Sequence, residues 1–252
     1  MRTLALALGV LVVGTPQALH GQSPGRPGPR ADAPPRVSET ALALPDGSEL
    51  RYAISLPDGY DGAPRDPRPL VLVLHPGGRS EYYGSWFLQA VVEPALRSWG
   101  AVMIAPDVPD RSWATSRSER AVLALVEHVL GQHAIDRERV LITGFSMGGR
   151  GVWHLVARHS DVLTGAVVMA GSPGESDVAA ISATPLYLIH SPNDDVVSFG
   201  PVEEAYLALA GRGHPVELRV LPGAGHHAMG AYVPALRSAG AWILERWLER
   251  TP

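Results

Sequence analysis

The sequence predicts an α/β protein with a mostly parallel central sheet and helices on both of its faces. Three observations predict it. Short runs of unbroken apolar residues recur, at 69–75 and 101–107 for instance, and such runs suit strands covered on both sides. Between them stand longer segments whose apolar residues return at helical spacing. The two patterns alternate from the 69–75 run onward, and strands joined by helical crossovers lie parallel.

Taken in order, "TALAL" (40–44), the turn "PDG" and "ELRYAISL" (49–56) read as a hairpin. A Pro-rich loop leads into the strand "PLVLVLH" (69–75). "SWFLQAVVEPALRSW" (85–99) is predicted helical with a kink at Pro94, and "AVMIAPD" (101–107) is the next buried strand. In "SRSERAVLALVEHVLGQH" (116–133), Ser116 stands where a cap belongs and Glu119 follows three residues later, the pattern of a capping box. Strands are then expected at 139–145, 165–171, 185–191 and 216–223, with helices at 147–158, 200–212 and 231–249. In such a sheet ligands bind beyond the carboxyl ends of the strands. Every polar group singled out below follows a predicted strand, so all of them should collect along one edge.

A chain of 252 residues with 46% apolar content and no internal repeat is expected to build a single core, and a catalytic domain is predicted over 37–252. Its net charge of −4, with arginines scattered among acidic residues, offers no stripe for phosphates and argues against nucleic acid as a partner. Residues 1–21 read as a secretory signal: Arg2 supplies the positive charge, and Leu4 to Val13 is an apolar run too short to span a bilayer. A buried N-terminal helix is the alternative, but Gly14, Pro16 and the tract "SPGRPGPRADAPP" leave it no amphipathic continuation. Residues 22–36 then form a disordered leader, and the mature protein is expected to be secreted or periplasmic, with no stable membrane insertion once the signal is removed. The absence of cysteine removes disulfides and any lipid-anchoring thiol.

Gly144-Phe145-Ser146-Met147-Gly148 fits G-x-S-x-G between a predicted strand and a predicted helix. A strand that turns abruptly into a helix leaves no room for side chains on either side of the middle residue, and the Ser146 hydroxyl is pushed outward. The Met147 amide opens the helix, where free N–H groups can hold a developing oxyanion. A serine needs a base, and the base needs a group to orient it. "LPGAGHHAMG" offers His226 and His227 after the last strand; His226, directly after Gly225, is preferred, with His227 left to solvent or a structural partner. "LYLIHSPNDDVVSF" offers Asp194, preferred as the acid, and Asp195, assigned to a cap or to solvent. The order Ser, Asp, His across successive strand ends carries the weight. A second oxyanion donor is expected from Gly77 or Gly78 after "LVLVLH", with His75 pinning that loop.

On these segments the chain resembles the α/β-hydrolases of the small esterase type, near polyhydroxybutyrate depolymerases, feruloyl esterases and phospholipase/carboxylesterase-like relatives, over about residues 40 to 250. "TGFSMGGRGVWHLVARHSD" is similar to the family's nucleophile-elbow segment. "IHSPNDDVV" resembles its "HGxxDxVV", which selects Asp194, and "PGAGHHAM" resembles "PGxGHxxW", which selects His226. Pro76 stands where the family's "HGGG" turn commonly has glycine, and Ser191 replaces a glycine of the acid loop.

The expected reaction is acyl transfer from a small-molecule or polymer-attached carboxylic ester through an acyl-serine, with no metal or organic cofactor required. His128 and His133, like His154 and His159, are five apart, a spacing unsuited to metal ligation from one helix face. Little chain separates the strands at 165–171 and 185–191, so no large cap domain is expected. Tyr82, Tyr83, Trp86 and Trp113 either line the rim, stacking on an aromatic acyl group or a sugar, or serve as packing. Trp153 is assigned to the core. The competing functions are a serine peptidase with the same three residues and a non-catalytic binding protein on a hydrolase scaffold.

Overall fold

A computed structural model describes residues 37–60, 66–77 and 83–250; the expected signal (1–21) and leader (22–36) lie outside them, as do Gly78 and Tyr82. Strands β1 (Val37–Ala43) and β2 (Glu49–Ser55) pair antiparallel. The turn between them carries Gly47 at φ 81°, and the Asp46 carboxylate accepts the Ser48 amide at 3.0 Å. After them come β3 (Arg68–Leu74), β4 (Val102–Pro106), β5 (Ile135–Phe145), β6 (Gly165–Met169), β7 (Leu186–His190) and β8 (Val216–Val220). The eight join in the order β1-β2-β4-β3-β5-β6-β7-β8. From β4 to β8 every pair is parallel; β2 meets β4 antiparallel.

Alternation along the central strands builds a core on each side. Leu70, Leu72 and Leu74 of β3 join Val140 and Ile142 of β5 in one layer, while Val71 and Val73 join Leu141 and Phe145 in the other. Both faces are therefore covered, as the unbroken apolar runs require. Helices α3 (Ser116–Gln132), α4 (Met147–Val156) and α6 (Gly200–Gly211) contribute to the first layer, and α7 (Tyr232–Arg250) to the second.

Three expectations are corrected. Pro94 does not kink the 85–99 helix alone: α1 (Tyr83–Phe87) widens into a π turn at Leu88–Val92 before α2 (Glu93–Leu96) and a 3-10 turn at Arg97–Trp99. A proline ring clashes with the carbonyl four residues back in a regular helix, and a wider turn there lets the helix continue. The cap of α3 is Thr115, whose hydroxyl accepts the Ser118 amide at 3.2 Å, not Ser116. Glu119 makes no capping box; its carboxylate reaches His154 (2.7 Å) and His159 (2.9 Å), tying α3 to α4. Those histidines converge despite their five-residue spacing because α4 ends at Val156 and His159 lies beyond it. The short helix α5 (Asp177–Ala180) was not expected.

Candidate active site

The ends of β3, β5, β7 and β8 deliver the candidate residues to the carboxyl edge of the sheet. At the end of β5 the chain turns through Ser146 at φ 55°, ψ −115°, a left-handed conformation costly for a residue with a Cβ. The turn is held by the Ser146 amide donating to Met169 O at 2.9 Å and the Arg150 amide donating to Ser146 O at 2.9 Å. The flanking glycines are required by contact. A Cβ on Gly148 would lie 2.0 Å from Leu74 O and 2.8 Å from His75 O, and one on Gly144 would lie 2.5 Å from the Gly148 carbonyl carbon. Helix α4 thus rests with bare backbone on the end of β3, and Gly149 does the same against Met169 O, where a Cβ would come within 2.7 Å.

His226 is carried by the loop after β8. The Leu221 amide donates to His190 O at 2.9 Å, and the Gly223 amide donates to the Asn193 side-chain oxygen at 2.7 Å, so the His226 loop is laced to the loop after β7. The imidazole is buried against the Phe145 ring, 5.3 Å between centroids. Its Nε2 lies 2.9 Å from Ser146 Oγ; its Nδ1 lies 2.8 Å from Asp194 Oδ2 and 3.0 Å from Oδ1. The Asp194 side chain has no exposed surface, and Oδ1 also accepts the Val196 and Val197 amides at 2.9 and 2.8 Å. Burial pushes its pKa upward, but the His226 N–H and the two amides outweigh it and hold the carboxyl below the usual carboxylate range. Since the carboxylate can only accept, His226 Nδ1 carries the proton and Nε2 is free to take the hydroxyl hydrogen. Asp195 and His227 are both exposed.

The turn after β3 is fixed by His75. The buried ring accepts the Val108 amide at Nε2 (3.1 Å), so Nδ1 holds the proton and donates to Pro76 O at 2.6 Å. Burial keeps this imidazole's pKa below its ordinary value. In a trans peptide the carbonyl and the following N–H point opposite ways, so anchoring Pro76 O leaves the Gly77 amide aimed away from the His75 ring. Gly77 is exposed, and nothing lies within 4 Å of the position its Cβ would take.

Of the four aromatic residues offered as rim or packing, Trp113 is packing and does not line the rim. Its indole has no exposed surface, donates to His75 O at 2.9 Å and packs against α4 at Gly151. The donor needed a buried partner, and the carbonyl at the end of β3 supplies one. Trp86, 44% exposed, stacks on Tyr83 with centroids 5.2 Å apart and planes 4° from parallel. Trp153 is core, donating to Gly171 O at 2.9 Å. Among the described residues no group of three His, Asp or Glu side chains is arranged to hold a metal ion. Sequence reasoning assigned no role to Asn193 or to His190, although His190 stands at the histidine of the quoted "HGxxDxVV" pattern and Asn193 is a turn-type residue beside the acid.

Over 158 residues the chain is 27% identical to feruloyl esterase B of Thermothelomyces thermophilus, covering 58% of this chain and 51% of that protein. Over 248 residues it is 32% identical to a putative carboxymethylenebutenolidase of Escherichia coli strain K12, covering 84% of this chain and 89% of that one. A thermostable esterase of known structure superposes with a TM-score of 0.73 at 25% identity, over 83% of this chain and 62% of its own. The chain thus spans about half the length of the fungal feruloyl esterase it matches and most of the bacterial protein. The dienelactone hydrolase family model matches residues 101–233, from β4 through the loop bearing His226, and with that match the chain belongs to the dienelactone hydrolase family, with the α/β-hydrolase fold.

Proposed function

We propose that this protein is a serine hydrolase of carboxylic esters that works through an acyl-enzyme. One observation carries the reading: a single buried imidazole bridges a strained, helix-opening serine at 2.9 Å and a buried carboxylate at 2.8 Å. In the first half-reaction His226 Nε2 takes the Ser146 proton as Oγ attacks the ester carbonyl, and the proton then passes to the leaving alcohol. Water repeats the sequence on the acyl-serine and frees the acid. Asp194 stays ionised throughout, fixing the tautomer and offsetting the imidazolium charge. The oxyanion is assigned to the Met147 amide, at the positive end of α4, and to the Gly77 amide, with Gly78 the alternative donor from the same turn.

The substrate is read as a small or polymer-attached ester. The names of the relatives support an ester, and the stack of half-buried Tyr83 on exposed Trp86 supports an apolar or aromatic group on it. The apolar stretch at 4–13 supports export, with the enzyme acting outside the cytoplasm; among the described residues no helix is long and apolar enough to cross a membrane.

Purified protein is expected to turn over short p-nitrophenyl esters and to label with a fluorophosphonate, and Ser146→Ala is expected to do neither. Turnover that persists in Ser146→Ala removes the reading. Equal rates on ester and amide versions of one acyl group would favour a peptidase, and failure of the wild type to label would favour a binding protein.

A further inference from the structure

The last residue of β7, His190, is unused by the cycle above yet lies against its acid. The ring is 1% exposed; Nε2 is 2.9 Å from Val197 O and 3.5 Å from Asp194 Oδ2. A carbonyl only accepts, so Nε2 carries the hydrogen. Nδ1 is buried and finds no hydrogen-bond partner among the described residues. Burial keeps the imidazole's pKa below its ordinary value, and the ionisable groups bearing on it are Asp194 and His226. Phe199, the residue before α6, packs edge-on against the ring, 5.9 Å away at 69°.

We infer, resting on the acyl-transfer reading above, that His190 is a positioning residue: its Nε2–H fixes the loop that presents Asp194 and keeps that carboxylate turned toward His226. Val197 is the hinge of the arrangement. Its N–H donates to Asp194 Oδ1 at 2.8 Å while its carbonyl accepts the His190 Nε2–H at 2.9 Å, so the acid, the loop and the strand end close into one ring. Within that ring Asp194 Oδ1 has two amide donors, and Oδ2 has the His226 N–H with the His190 N–H dipole behind it at 3.5 Å. A neutral donor suits this place. A cation there would repel the imidazolium that His226 becomes, whereas a neutral N–H holds the carboxylate in place without adding charge.

The test compares wild type with His190→Leu, His190→Gln and His190→Asn on a short p-nitrophenyl ester between about pH 5 and pH 10. Fluorophosphonate labelling and the Ser146→Ala control come first, and failure there removes the serine-esterase reading itself, whatever His190 does. Given turnover, His190→Leu is expected to lower kcat about 10- to 100-fold with KM little changed, and to move the acid limb of the kcat/KM profile to lower pH, because a carboxylate free to wander supports the imidazolium less. Glutamine can place an amide N–H where Nε2 stood, and is expected to recover kcat to within about 3-fold; asparagine, whose amide reaches only to the Nδ1 position, is not. If the leucine variant does not fold, the glutamine and asparagine pair decides alone. The inference is overturned if His190→Leu keeps kcat within about 2-fold with the same acid limb, or if glutamine and asparagine are impaired equally.

Discussion

Replacing Asp194 by asparagine should silence the site while leaving its framework standing, and the hydrogen bonds dictate how. Asp194 Oδ1 accepts two backbone amides, Val196 at 2.9 Å and Val197 at 2.8 Å, so the asparagine must put its oxygen there. Its NH2 group then occupies the Oδ2 position, 2.8 Å from His226 Nδ1. Two N–H groups cannot face each other, so the imidazole moves its hydrogen to Nε2. That nitrogen now donates to Ser146 Oγ and can no longer accept its proton. The expected loss in kcat is about 10⁴-fold, ~5.5 kcal/mol of barrier. Both backbone hydrogen bonds survive, so Tm should change by only about a few degrees. Steady-state turnover of p-nitrophenyl acetate and a thermal melt measure the two effects. Asp195→Asn, at an exposed neighbour, should behave as wild type. An Asp194→Asn enzyme that keeps more than about a tenth of its activity, or an Asp195→Asn enzyme that loses as much, would refute the derivation.

Two further outcomes follow from buried polar groups. The Tyr232 hydroxyl is buried without a hydrogen-bond partner among the described residues, and desolvation together with the Asp194 charge pushes the phenol up to about 12. Tyr232→Phe should therefore leave the free energy of denaturation unchanged or raise it by about 1 kcal/mol in urea titration, and a loss of similar size would contradict this. Asp177 receives Arg150, Arg158 and the Gly174 amide; burial pushes its pKa upward, but these contacts bring it, like Asp194, below its ordinary value. With folded values below unfolded ones, both carboxylates stabilise the fold fully above about pH 4, and that contribution disappears as pH falls through the folded values. Tm measured from pH 6 downward should drop steeply below about pH 4, less so in Asp177→Asn; a level profile would count against it.

The parallel interior strands were legible because burial on both faces leaves a signature in composition, visible in "PLVLVLH" and "AVMIAPD". Ser146, Asp194 and His226 could be nominated because strand ends are marked by abrupt changes from apolar to turn residues, and the topology brings such ends together. What the sequence did not reveal depends on partners distant along the chain. Trp113 looks like a rim residue until His75 O, 38 positions away, is seen to take its N–H. Glu119 looks like a capping residue until His154 of α4 and His159, just beyond that helix, claim its carboxylate. His190 matches the histidine of the quoted "HGxxDxVV" pattern, but nothing local announces that Val197 will fold back to accept its N–H.

Gly144, Gly148 and Gly149 let strand and helix touch backbone to backbone, with no side chain between them to swing aside. The Ser146 amide, which donates to Met169 O at the end of the neighbouring strand β6, is expected to meet solvent deuterium only when β5 parts from β6. Its exchange rate should track the opening of the sheet, and an agent that loosens the surface loops alone should leave the strained turn at Ser146 untouched.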